Sequence, residues 1–173
     1  MMDPQTHAHI LKKAVAGDLS AFETLVSHHY DMVYRCAHRL CGQREDGEDV
    51  AQDVFVKIAG KLHLFDNRSS FSTWLYRITV NTARDHLRKK ARNGEVPYEN
   101  GVHASGSPED NPGRYEALLG AVDKLAPKLR EAVVLVYAEE LSHREAAKVA
   151  GCAETTISWR IFTAKRKLRN LLS

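Results

Sequence analysis

Residues 93–112, NGEVPYENGVHASGSPEDNP, cut the apolar periodicity of the chain in two. They hold three of its five prolines, three of its ten glycines, four acids and no base, a composition that makes a poor helix and a good tether. On both sides apolar residues recur at three- and four-residue spacings, and no alternating Val/Ile/Thr run appears. The sequence therefore predicts an all-α protein with a helical domain over 1–92, a flexible linker over 93–112 and a second helical domain over 113–173. A chain of 173 residues has room for two small helical units, which excludes a large multidomain enzyme.

Hydrophobic residues at 43% and charged residues at 27% match folded, soluble chains. No apolar run approaches the roughly 20 residues of a membrane helix, and the N-terminus lacks a basic start followed by an apolar stretch. A cytoplasmic protein without membrane insertion is expected. Three cysteines with no CxxC pair argue against a disulfide framework and a four-ligand zinc site. Cys36, His38 and Cys41 do not share one helical face, so no metal is expected. Glycine-rich phosphate loops, nucleophile elbows and HExxH patterns are missing, so neither catalysis nor a cofactor is expected.

Net charge is only +3, but its distribution is uneven. Residues 1–92 carry 14 Lys/Arg and 11 Asp/Glu, and residues 113–173 carry 11 and 7. Within the first block, 45–53 holds five carboxylates and no base, whereas 77–92 holds six bases and one acid. One small domain thus presents two opposite charges, suited to a basic protein partner and to nucleic acid.

In that domain Ser20 and Glu23 have the spacing of a capping box ahead of a helix with Phe22, Leu25, Val26, Val33, Ala37 and Leu40 on its inner stripe, ended by Gly42. A second helix, 45–61, buries Val50, Val54 and Ile58 and is expected to turn Asp46, Asp49 and Asp53 outward. After a polar hinge at 65–70, a long helix follows. Phe71, Trp74, Leu75 and Ile78 face in, while Arg77, Asn81, Arg84 and Arg88 form a cationic stripe. Phe65, Phe71 and Trp74 beside that stripe suit stacking on unpaired bases, and Asn81 suits a base edge.

In the second domain Pro127 opens a helix expected to reach about residue 138. Ser142 and Glu145 form a second capping box, Ala146 and Ala147 permit a close helix crossing, and Gly151 marks a turn before a final helix beginning near 155. This is a helix-turn-helix. Thr155, Thr156 and Ser158 can donate to phosphates or base edges, and Arg160 or Arg166 can pair with phosphate or guanine.

With these residues in place, the chain resembles the extracytoplasmic-function sigma factors of the sigma-70 family. The resemblance rests on DGEDVAQDVFVKI at 46–58, FSTWLYRITVNTARDHLRKKAR at 71–92 and LSHREAAKVAGCAETTISWRIFTAKRKLR at 141–169. It implies a transcription initiation factor with sigma region 2 in the first domain and region 4 in the second. Asp49, Gln52, Asp53 and Phe55 would bind core RNA polymerase. Phe65, Asn67, Ser70, Phe71, Trp74, Arg77, Asn81, Arg84 and Arg88 would read and melt the promoter minus-ten element. Arg144, Thr155, Thr156, Ser158, Trp159, Arg160, Phe162, Thr163 and Arg166 would read the minus-thirty-five element. Trp159 and Phe162 depart from the family's pattern, and as an apolar pair expected on the surface they point to an anti-sigma factor as the partner that covers them. Other readings of the residues are a plain helix-turn-helix regulator and a decoy for an anti-sigma factor.

Overall fold

A computed structural model describes residues 3–94 and 112–172, so most of the expected linker lies outside the described residues. These residues are helical, with no strand among them. The first unit holds α1 (Pro4–Val15), α2 (Leu19–Cys41), α3 (Arg44–Lys61) and, after a 3-10 turn at Leu62–Leu64, α4 (Phe71–Arg92). The second holds α5 (Pro112–Asp123), α6 (Pro127–Val133), a π-helical turn (Val134–Ala138), α7 (His143–Ala150) and α8 (Glu154–Leu171).

Local chemistry sets the helix ends. Asp3 accepts from the backbone N–H groups of Gln5 and Thr6, ahead of Pro4 in the first turn of α1. The cap of α2 is Asp18, which accepts from the Ala21 N–H at 3.0 Å, and not the Ser20 and Glu23 pair that the spacing suggests. The acid two residues earlier has the extended backbone a cap requires, whereas Ser20 is already inside the helix. The Ser142 and Glu145 box forms as read, with reciprocal bonds. Gly42 and Gly151 end α2 and α7 at φ values of 83° and 69°. The helix expected over 127–138 instead widens into the π turn after Val133.

Val33, Val50, Val54, Leu75 and Val80 belong to one buried cluster that continues into Ala132, Leu135, Val149 and Ile157 of the second unit. The two units are therefore packed together, α4 against α7 and α2 against the π turn. A smaller cluster of Leu125, Leu129 and Ala164 lies within the second unit. No described helix is long and apolar enough to cross a membrane.

Candidate nucleic-acid interface

Helix α3 separates its acids by depth. Asp46 turns inward, contrary to the outward position expected for it, because α4 supplies two bases: Lys90 Nζ lies 2.8 Å from Oδ2 and His86 Nε2 lies 2.8 Å from Oδ1. Burial alone would raise the Asp46 pKa, but the hydrogen bonds and charges of Lys90 and His86 outweigh it and hold the carboxyl below its ordinary value. With α3 anchored on that side, Asp49, Gln52 and Asp53 are left exposed together with Val56, which is 73% exposed. Half-buried Phe55 lies beside them, stacked on Tyr30 with centroids 5.9 Å apart, and Tyr30 stacks on Tyr34 at 6.3 Å. These two tyrosines went unread in the sequence. Their signal is the spacing of Tyr30, Tyr34 and His38 along one face of α2, with the His38 ring stacked on Tyr34.

At the hinge, Ser70 caps α4 by accepting from the Thr73 N–H at 3.1 Å. Two of the rings proposed to touch DNA are placed otherwise: Phe65 and Phe71 are 8% and 6% exposed, in edge-to-face contact at 5.4 Å. The hinge folds back because its apolar rings have a core to enter, where His29 and His7 also meet Phe71. Trp74 is half-buried against both phenylalanines. What the hinge exposes is Asn67, in the left-handed region at φ 58°, beside the Asp66–Arg68 ion pair.

Beyond the hinge, α4 displays Arg77, Asn81 and Arg88 to solvent as the stripe predicts. Arg84 is engaged differently. Its Nε and Nη2 donate to Glu131 of α6 at 2.8 and 2.7 Å, Nη2 also donates to the Ala150 carbonyl of α7, and Nη1 donates to Asn81 Oδ1. The hydrogen bond to Glu131 is the main cause of the raised Arg84 pKa. A second tie joins the units at Glu139, whose Oε1 pairs with Arg39 at 2.7 Å and whose Oε2 accepts from Tyr76 Oη at 2.9 Å. Burial, then the Glu139 charge, pushes the Tyr76 phenol well above its ordinary value. Neither glutamate had a signal in the sequence, since the arginines they pair with stand 47 and 100 residues away.

The helix-turn-helix presents Thr155, Ser158, Trp159, Phe162 and Arg166 along the open side of α8, with Arg144 exposed on α7. Trp159 and Phe162 are 62% and 67% exposed. Ser158 is not idle: its hydroxyl donates to the Glu154 carbonyl and lies 2.9 Å from His143 Nδ1, tying α8 to α7. Thr156 and Thr163 are half-buried at the edge of this face. Arg160, read as a partner for phosphate or guanine, is instead buried at 9% exposure, with Nη1 3.8 Å from Glu131. It stands one position from Ile161 on the inner stripe, and the buried carboxylate of α6 gives it a reason to be there.

Among the described residues no group of three or more His, Cys, Asp or Glu is placed to hold a metal ion. Cys36 and Cys41 are buried thiols, and burial drives Cys36 well above the ordinary thiol value and Cys41 up to about 12.

Comparison with known proteins gives a consistent picture. Residues 25–93 match Sigma-70 region 2, and residues 115–168 match Sigma-70, region 4. The ECF RNA polymerase sigma factor SigW of Bacillus subtilis is 31% identical over 176 residues, covering 94% of each chain. The ECF RNA polymerase sigma-E factor of Haemophilus influenzae is 30% identical over 184 residues, covering 98% of this chain and 97% of that one. Among solved structures, the sigma factor RpoE of Bartonella quintana, in complex with the anti-sigma factor NepR, aligns with a TM-score of 0.75 at 25% identity. That alignment covers 89% of this chain and 98% of that one. CnrH in complex with the cytosolic domain of CnrY aligns with a TM-score of 0.70 at 29% identity over 94% of each chain.

Proposed function

The chain belongs to the ECF RNA polymerase sigma factors of the sigma-70 family, and from that premise we propose how its faces divide the work of promoter-directed initiation. The polymerase supplies the catalysis, and this chain acts in the cytoplasm by binding. Within a first domain taken as 1–92, the acidic face of α3 holds core RNA polymerase. Asp49 and Asp53 meet basic side chains there, Gln52 bonds between them, and the stacked Phe55, Tyr30 and Tyr34 supply the apolar floor. The hinge and α4 hold the non-duplex strand of the minus-ten element. Asn67 and the Trp74 edge border the base pocket, Ser70 shapes it by capping α4, Asn81 reads a base edge, and Arg77, Arg84 and Arg88 neutralise phosphates. Unstacking a base costs a few kcal/mol, offset by the pocket and the phosphate contacts.

In the second domain, taken as 113–173, α8 enters the major groove. Thr155 and Thr156 approach phosphates near its start, Ser158 and Thr163 border the contact, Trp159 and Phe162 offer apolar surface to thymine methyls, and Arg144 and Arg166 take phosphate or guanine. Two weak DNA contacts on one chain combine into one tight contact, because the first raises the effective concentration of the second. An anti-sigma factor covers Trp159 and Phe162 when the factor is held in reserve, which accounts for two large exposed aromatics on a small chain.

The observation that carries this reading is the opposition of faces in the first unit. Asp46 locks α3 to α4 through His86 and Lys90, leaving acids on one side and the cationic stripe on the other. Polymerase and DNA can then be held at once. The charge reversal D49K/D53K is expected to weaken core binding at least about tenfold, the loss of two interfacial charge contacts. The change N81A/R77A is expected to leave core binding intact and abolish promoter opening, measured by permanganate reactivity of unpaired thymines. Equal core affinity for D49K/D53K and wild type would place the polymerase interface elsewhere.

A further inference from the structure

Glu131 is a buried carboxylate between two arginines that belong to different parts of the molecule. Arg84 of α4 grips it with two hydrogen bonds from the neighbouring unit, whereas Arg160 of α8, in the glutamate's own unit, stands off with Nη1 at 3.8 Å. Arg160 Nη1 is buried and has no hydrogen-bond partner. A buried guanidinium N–H without an acceptor is costly, so Arg160 has a bond to gain wherever Glu131 is released by Arg84. The available acceptor is Glu131.

We propose that Glu131 is an exchangeable latch: in the free protein it holds Arg84 and keeps the two units closed, and when they separate it turns to Arg160. The exchange matters because pulling Arg84 away would otherwise strand a buried charge, which folded proteins tolerate badly. With Arg160 waiting, opening trades one ion pair for another inside the second unit. Among the described residues of its own unit, Glu139 has no such substitute for Arg39 and Tyr76, so this tie adds to closure without easing release. Closure also occupies one member of the DNA stripe, Arg84, which bonds Glu131 and the Ala150 carbonyl of the second unit. Arg84 is thereby masked by the second unit, and a partner that binds the open form must meet the opening cost. This rests on the sigma-factor reading only for the identity of that partner, core RNA polymerase.

If the open form is a minority of the free molecules, apparent affinity for core scales with its population. Three full-length proteins test the latch: wild type, Glu139→Gln and Arg160→Met, each checked for retained helicity and cooperative unfolding. Fluorescence energy transfer between labels at exposed Lys13 and Lys167 reads closure without any polymerase. Glu139→Gln is expected to lower transfer and tighten core binding about 3- to 10-fold, whereas Arg160→Met, which removes the fallback partner, raises transfer and weakens core binding by a similar factor. The two variants are expected to move in opposite directions. Unchanged transfer in both, a shift of both in the same direction, or a wild-type protein already extended when free would overturn the latch. If no variant binds core while transfer shifts as described, the latch stands and the choice of polymerase as the opening partner fails.

Discussion

His29 shows how one side chain couples the N-terminal helix to the hinge end of the first unit. It is 6% exposed, touches the Phe71 ring and shares a 2.9 Å hydrogen bond between Nε2 atoms with His7 of α1, one ring donating and the other accepting. Burial, with His28 and His7 nearby, lowers its pKa to about 4 from an ordinary 6.5. A depressed histidine is neutral in the fold while the unfolded chain takes up a proton, so its contribution is complete above pH 6.5 and is lost as pH falls towards 4. Between those values stability is expected to drop by about 1–2 kcal/mol from this site, after allowing for screening of the exposed neighbours. Denaturant melts of wild type and His29→Leu across that window read it directly. The variant's curve is expected to be flatter, and parallel curves would remove His29 from the acid response. The pair His28 and His29 is plain in the sequence, but its partner His7 is not, because it stands 22 residues away on another helix and no local pattern joins them.

At the scale of helices, the first unit depends on α3 crossing α2 at close range. A Cβ on Gly47 would lie 2.8 Å from the His38 Cα and 2.9 Å from its Cβ, with backbone that cannot move aside locally. Gly47 sits in the first turn of α3 despite its poor helix propensity because nothing larger fits the crossing. Gly47→Ala is expected to destabilise the protein by about 1–3 kcal/mol through overpacking, even though alanine is the better helix former. Thermal unfolding checks it, and a raised Tm would mean that α2 and α3 can slide apart freely. Beyond α1, which no reading of the sequence singled out, the helices were legible: periodicity, the two C-terminal glycines and the Ser142 box placed most of the ends to within a few residues. What periodicity missed was depth on the polar faces. Asp46 and Arg160 lie where a helical wheel sets charge, yet both are buried, because each meets an opposite charge on a helix distant in sequence. Phe65 differs in the opposite sense, since an aromatic in a hinge serves a core as well as it serves a base, while Phe71 takes the inward place its spacing gave it.

For the whole molecule, the sequence divides the chain at 93–112, and the structure shows the two parts sharing a buried cluster and two charged ties. That contact was illegible because every bond in it joins residues far apart in sequence, and isolated acids such as Glu131 and Glu139 carry no local pattern. The family, by contrast, was legible from three ordered motifs, and the comparisons place it there. If its faces divide the work as proposed, this chain directs core polymerase to two-part promoters. Purified core RNA polymerase, with and without the chain, on a pooled promoter library with start sites sequenced, tests it most directly. New starts that share two upstream elements at a fixed spacing, and that vanish with N81A/R77A, are expected. Identical start sites with and without the chain, while the chain still co-elutes with core, would contradict it.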